Sequence, residues 1–231
     1  YRSAKIRVNN SHFFVLTGEV EIYGAGSSFT ITKEFVDVLL SLDIEITNIR
    51  LNGILSVGKD AFRHVKGEGL IEFDFGDALE SIDEYAFAQS NIISIAELPP
   101  SIKCIKNGAF FDCSSLLQVI FHLTEDDTTS LEYIGMSAFQ DDTSLQVIYA
   151  DNTPNNSALP EGLRKIDAYA FARCTGFHTE LTLPDSLETI GAYAFAWSSF
   201  TKLHLGCGLS TRSGRLPLGD DLEYPTKITL C

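Results

Sequence analysis

The stretch I-D-A-Y-A-F-A-R-C, Ile166 to Cys174, packs helix-compatible alanines, two aromatics and a cysteine into nine residues. No acid–base or phosphate-binding motif has that make-up. Near copies recur: I-D-E-Y-A-F-A-Q-S from Ile82, I-K-N-G-A-F-F-D-C from Ile105, I-G-M-S-A-F-Q-D-D from Ile134 and I-G-A-Y-A-F-A-W-S from Ile190. The recurring phenylalanines are Phe62, Phe87, Phe110, Phe139, Phe171 and Phe195, each after an alanine, at steps of 25, 23, 29, 32 and 24 residues. Self-similarity at that period is the signature of a stacked array.

Working outward from each phenylalanine, an aliphatic residue stands five places earlier (Val57, Ile82, Ile105, Ile134, Ile166, Ile190) and another three before that (Ile54, Leu79, Ile102, Leu131, Leu163, Leu187). A second pattern, L-x-x-I-x-L, follows as L-I-E-F-D-F from Leu70, L-L-Q-V-I-F from Leu116, L-Q-V-I-Y-A from Leu145 and F-T-K-L-H-L from Phe200. Its last two apolar positions are two apart, the strand period, so each unit carries one strand. The A-F segment reads as one or two helical turns on the other side of the coil. One unit has too little interior to be stable, but stacked units bury one another's phenylalanines.

These half-units resemble the BspA-like leucine-rich repeat family, L-x-x-I-x-x-x-A-F-x-x-C-x-x-L-x-x-I-x-L-P, from about Ile46 to Leu205, most clearly in L-P-D-S-L-E-T-I-G-A-Y-A-F-A-W-S-S from Leu183. The resemblance implies an α/β, right-handed leucine-rich repeat solenoid with one parallel strand and a short helical segment per coil. Residues 1–45 then form an N-terminal cap, 46–205 the solenoid and 206–231 a C-terminal cap or a cut end. In the cap, I-T-K-E-F-V-D-V-L-L-S-L from Ile31 is expected to be a helix burying Phe35, Val38, Leu39 and Leu42, after a small hairpin. The family's cysteine position holds Val65, Ser90, Asp142 and Ser198 in four units, and Asp142 at an inward site implies a local opening of that coil.

Composition limits the function. The chain of 231 residues is 45% apolar, enough for a substantial core, and its net charge of −14 opposes nucleic-acid binding. No run is long and apolar enough for a membrane helix. The start at Tyr1 without methionine suggests that an export signal was removed upstream. Cys113 and Cys174 lie three places after a recurring phenylalanine and read as small core residues, and Cys207 with Cys231 is the one pair considered for a disulfide. No cofactor or metal site is expected: Gly24-Ala25-Gly26 reads as a turn, and His204 with Cys207 lacks further zinc ligands. Asn9-Asn10-Ser11 and Asn155-Asn156-Ser157 are formal glycosylation sequons.

Two units carry inserts at the same edge, one from His122 with Asp126 and Asp127, the other from Ala150 with Asp151 and Asn155. The aspartates do not match a calcium loop, because Asn156 takes the glycine place and Gly162 the final acidic place, so a solvated acidic loop pair is expected. Strand alternation turns outward Asn48 and Arg50, Glu72 and Asp74, Ser94 and Ala96, Gln118 and Ile120, Val147 and Tyr149, Glu180 and Thr182, Lys202 and His204. Ile120, Val147 and Tyr149, with Gln118 and Thr182 beside them, would then form an exposed apolar patch overhung by the inserts. The expected function is a non-enzymatic recognition module on a cell surface or secreted, as the family resemblance implies, binding a protein or glycan through its concave sheet face and loops. The alternatives are a spacer without a specific ligand and an enzyme with a dispersed site. The oligomeric state is open.

Overall fold

The computed structural model describes residues 4–8, 11–16, 18–24, 29–42, 45–150, 157–209, 211–212 and 227–229. The elements in chain order are β1 (Ala4–Val8), β2 (Ser11–Leu16), β3 (Glu19–Tyr23), β4 (Thr30–Ile31), α1 (Lys33–Leu40), β5 (Asn48–Asn52), β6 (Ser56–Val57), β7 (Glu72–Asp74), β8 (Ser81–Ile82), β9 (Ile95–Leu98) and β10 (Cys104–Ile105). They continue as β11 (Gln118–Phe121), β12 (Tyr133–Ile134), β13 (Val147–Ala150), β14 (Ser157–Ala158), β15 (Lys165–Ile166), β16 (Glu180–Thr182), β17 (Thr189–Ile190), β18 (Lys202–His204), β19 (Thr211–Arg212) and β20 (Lys227–Thr229).

Each coil contributes a longer strand to one side and a two-residue strand to the other; the short strands pair in parallel from coil to coil throughout, and the longer ones do so except between β7 and β9. The short strands form one continuous sheet, β19-β17-β15-β12-β10-β8-β6-β4. The longer strands divide into two sheets, β1-β2-β3-β5-β7 and β9-β11-β13-β14-β16-β18-β20. At the N-terminal end β1, β2 and β3 pair antiparallel, the expected hairpin, and β3 then joins β5 in parallel while β4 joins β6. Helix α1 follows β4, where later coils carry their A-F segment. Thr32 caps it, its hydroxyl oxygen accepting from the Phe35 N–H at 3.3 Å. Its buried face is Phe35, Val36 and Leu39, whereas Val38 is exposed, so the inward stripe uses Val36 in place of the expected Val38.

The interior is the phenylalanine column. Rings of Phe62, Phe87, Phe110, Phe139, Phe171 and Phe195 stack in order with centroids 5.0, 5.3, 5.3, 5.1 and 5.4 Å apart, and all are buried. Spacing near that of parallel strands lets one ring per coil keep step with the sheets. The A-F segments themselves are turns, not the expected helical turns. The residues two before and two after each phenylalanine have positive φ: Asp60 and His64, Tyr85 and Gln89, Gly108 and Asp112, Ser137 and Asp141, Tyr169 and Arg173, Tyr193 and Trp197. Left-handed residues on both sides of the phenylalanine break helical continuity. They aim alternate amides at the neighbouring coil: Asp60, Phe62 and His64 N–H donate to the carbonyls of Glu84, Ala86 and Ala88, and the same triplet repeats up to Tyr169, Phe171 and Arg173 on Ala192, Ala194 and Ala196. Intercoil hydrogen bonding outweighs the local helix propensity of A-Y-A-F-A.

Three places after the phenylalanine, the Cys113 and Cys174 thiols are buried and donate to the carbonyls of Phe87 and Phe139, each at 3.0 Å. Asp142, between them in the column, opens nothing: it is fully buried, and its Oδ1 accepts from the Cys113 N–H at 2.7 Å. Oδ2 has no partner. Burial pushes this carboxyl well above the usual carboxylate range, which favours its protonated form. Cys104, Cys113 and Cys174 are free thiols and Cys207 is disulfide-bonded. Its expected partner, Cys231, lies outside the described residues.

Candidate functional site

The outer face of the long strands follows from the ladder register. One row of side chains runs Asn48–Glu72, then Ile95–Gln118–Val147; a second runs Arg50–Asp74, then Glu97–Ile120–Tyr149–Ala158–Thr182–His204. The outward residues of β9 are thus Ile95 and Glu97, not Ser94 and Ala96. Leu98 is held inward before Pro99, so the period of two puts the small Ala96 inside, fully buried, and leaves Ile95 41% exposed. Hydrophobicity alone pointed to the wrong phase.

Of the expected patch, Gln118, Val147 and Tyr149 are half-buried and Thr182 is exposed. Ile120 keeps 8% of its surface, because its register partners Glu97 and Tyr149 stand on either side of it. The exposed apolar area is therefore smaller than expected. The second insert is also more than a loop: Ser157–Ala158 forms β14 and slots between β13 and β16, with Tyr149 opposite Ala158 and Ala158 opposite Thr182. The 32-residue unit thus adds a strand to this face, while β12 and β15 still pair directly on the other. In the first insert the Thr124 N–H donates to the Thr128 carbonyl, Asp127 takes a positive φ, and Asp126 and Asp127 are exposed. Asp151 and Asn155 lie outside the described residues, as do the asparagines of both sequons. Among the described residues no group of three or more histidine, cysteine or acidic side chains is arranged for a metal, and no helix is long and apolar enough to cross a membrane.

The charged positions of this face pair along the ladder. Arg50 reaches Asp74 at 2.8 Å and Glu21 at 3.4 Å, and Glu180 reaches His204 at 2.7 Å and Lys202 at 3.7 Å. The His204 hydrogen bond holds the Glu180 carboxyl below its ordinary range. His122 meets Glu97 at 3.3 Å. Such exposed pairs contribute little to stability and chiefly order the surface.

Over β5, β7 and β9 the face holds a cleft of about 710 Å³, lined among others by Arg50, Glu72, Asp74, Ile95, Glu97 and His122. Leu70, on its rim, is 52% exposed. Sequence reading placed Arg50, Glu72 and Asp74 on this face but missed the cleft, along with Leu70, Asp77, Ile95 and Glu97. The one signal was that this coil carries two inward phenylalanines, Phe73 and Phe75, where β11 carries one, Phe121, beside Val119. Phe73 meets both Phe62 and Phe87 edge-on at 5.3 Å, adding a ring to the interior at that level.

A family model described as BspA type leucine rich repeat region matches in six copies over residues 41–157 and 148–213. Among solved structures, the chain is similar to the leucine rich repeat protein of T. pallidum, at 18% identity and a TM-score of 0.55, with 84% of this chain and 89% of that one covered. It is also similar to a leucine-rich repeat protein from Bacteroides ovatus, at 17% identity and a TM-score of 0.49, covering 87% of this chain and 61% of that one, and so spans under two thirds of that relative. A leucine rich cell surface protein from Faecalibacterium prausnitzii is similar at 14% identity and a TM-score of 0.36, with 91% and 84% covered. No curated protein matches the sequence.

Proposed function

Since the chain belongs to the BspA type leucine-rich repeat family, we infer that it is a non-enzymatic recognition module that works outside the cell and binds a protein through its long-strand face. The observation that carries this reading is the face itself. Successive coils set their outward side chains in two aligned rows, with Gln118 beside Val147 in one and Tyr149, Ala158 and Thr182 in succession in the other. Stacked coils hold such rows rigid over several strands, which suits an extended protein surface better than a small substrate. Tyrosine among half-buried aliphatics is a common anchor at interfaces. A panel of immobilised extracellular-matrix proteins and glycans is the test. A captured protein should be bound at least about tenfold more weakly by Tyr149→Ala at an unchanged melting temperature. Undiminished binding by that variant removes this patch from the interface.

A further inference from the structure

The coil of Phe62 and the coil of Phe87 are joined closely on two sides and loosely on the third. Along the short strands β6 pairs with β8 in parallel. Along the A-F turns the Asp60, Phe62 and His64 N–H groups donate to the carbonyls of Glu84, Ala86 and Ala88, and inside the coils Phe62 stacks on Phe87 at 5.0 Å. On the long-strand side β7 and β9 share no ladder, although β9 pairs with β11 over four residues. The Glu72 N–H donates to Thr47 in the preceding coil, so the Phe73 peptide group turns toward β9. The Gln118 N–H donates to the Ser94 carbonyl, so Ile95 and Glu97 turn their peptide groups toward β7.

What stands in for the ladder is small and lies ahead of the strands. The Ile71 N–H donates to the Ile92 carbonyl at 2.6 Å, and the Asn91 N–H donates to the Val65 carbonyl at 3.3 Å. The Asn91 side chain clasps Gly67, accepting from its N–H at 2.9 Å and donating to its carbonyl at 3.3 Å. The segment so held, Lys66 to Leu70, is exposed at every residue and contains Gly67 and Gly69. Leu70 is 52% exposed, whereas Leu116 and Leu145, in the same place of later coils, are fully buried. Core contact is therefore thin on the side where backbone pairing is missing.

We propose that the array hinges here: the body from β3 to β7 tilts against the body that begins at β9, pivoting on the short strands and the A-F turns so that the long-strand side opens and closes. The ladders β3-β5-β7 and β9-β11-β13 make each body move as a unit. Pairing and ring stacking fix two sides of the boundary, which leaves the third as the direction of easy bending. The cleft lies across the joint, with Arg50, Glu72 and Asp74 on one body and Ile95, Glu97 and His122 on the other, so the tilt sets its width. The Arg50–Asp74 pair stays within the first body and the His122–Glu97 pair within the second, and neither ties the two together. A partner on the long-strand face would select one tilt, a consequence that rests on that face being the binding face.

The test is electron–electron dipolar spectroscopy on the whole chain, carrying Cys104→Ser and pairs of nitroxide labels. E21C/T182C and E72C/T182C span the joint on the long-strand side, I95C/T182C lies within one body, and K59C/E188C spans the joint on the short-strand side. The distance distributions of the first two pairs should be at least about twice as wide as those of the other two, and Asn91→Ala should widen them further. Equal widths for all four pairs overturn the hinge. A wide E72C/T182C distribution beside a narrow E21C/T182C one means that β7 moves alone, which overturns the tilt of whole bodies. A K59C/E188C distribution as wide as the first two overturns the pivot, and an unchanged width in Asn91→Ala overturns the part given to that side chain. These widths are read without a partner, so capture that is insensitive to Tyr149→Ala brings down the binding patch and leaves the hinge standing.

Discussion

Asp142 is where the packing makes its sharpest quantitative demand. Its carboxyl is fully buried, one oxygen accepts from the Cys113 N–H and the other has no partner, and burial holds its pKa well above the ordinary range. The native state therefore holds a proton that the unfolded chain releases near pH 3.9. A raised acid pKa contributes stability that is fully present below the unfolded value and is lost as pH rises toward the native one. Within that window each pH unit removes on the order of 1 kcal/mol. Asp142→Asn keeps the acceptor for Cys113 and carries no charge, but places an unpartnered amide where Oδ2 stands, at about 1–3 kcal/mol. The variant should be less stable than wild type at acid pH, and the gap should close and then reverse as pH rises. Urea unfolding of both chains between pH 4.5 and 8, followed by circular dichroism, measures the difference. Acids with lowered pKa such as Glu180 act in the opposite sense but are common to both chains and cancel. A constant offset across the range would refute a neutral buried Asp142.

Other consequences follow from the column and the turns. Phe139→Ala, between rings at 5.3 and 5.1 Å, should lower stability by about 3–5 kcal/mol in thermal or urea unfolding. Phe177→Ala should be destabilising too, because Phe177 is buried and stacks on Phe200 at 4.3 Å. Thiol labelling of the native chain should reach Cys104 first and leave Cys113 and Cys174 unmodified until denaturant is added, since burial both shields these two and pushes their pKa values up. Gly76→Ala should cost at least about 1 kcal/mol from the left-handed backbone alone, because Gly76 sits at φ +63°, and an added Cβ would also fall 2.0 Å from the Leu51 carbonyl oxygen.

The phenylalanine ladder and its flanking aliphatics were legible because each unit repeats the same inward positions, and the strand period then fixed which neighbours turn out. Legibility failed where a neighbouring coil decides. A-Y-A-F-A is locally helix-compatible, yet the left-handed residues at Tyr169 and Arg173 exist to serve hydrogen bonds to the next coil. Ala96 lies inward although Ile95 is the more apolar, since Leu98 sets the phase. Ser157–Ala158 is too short for any periodicity, and joins the sheet only because β13 and β16 leave room for it. Asp142 was read correctly as inward, but its environment comes from Cys113 one coil away. Of the candidate site, the outward rows could be read along single strands. The break between β7 and β9 is a relation between two coils and has no signature within either.

The most direct measurement is residue-resolved amide hydrogen exchange on the intact chain. The N–H groups of Phe73, Ile95 and Glu97, where β7 and β9 share no ladder, should exchange much faster than those of Gln118 and Ile120 in the paired strand next to them. Slow exchange at Ile95 and Glu97, matching Gln118 and Ile120, would contradict the break and mean that the long-strand sheet is continuous there.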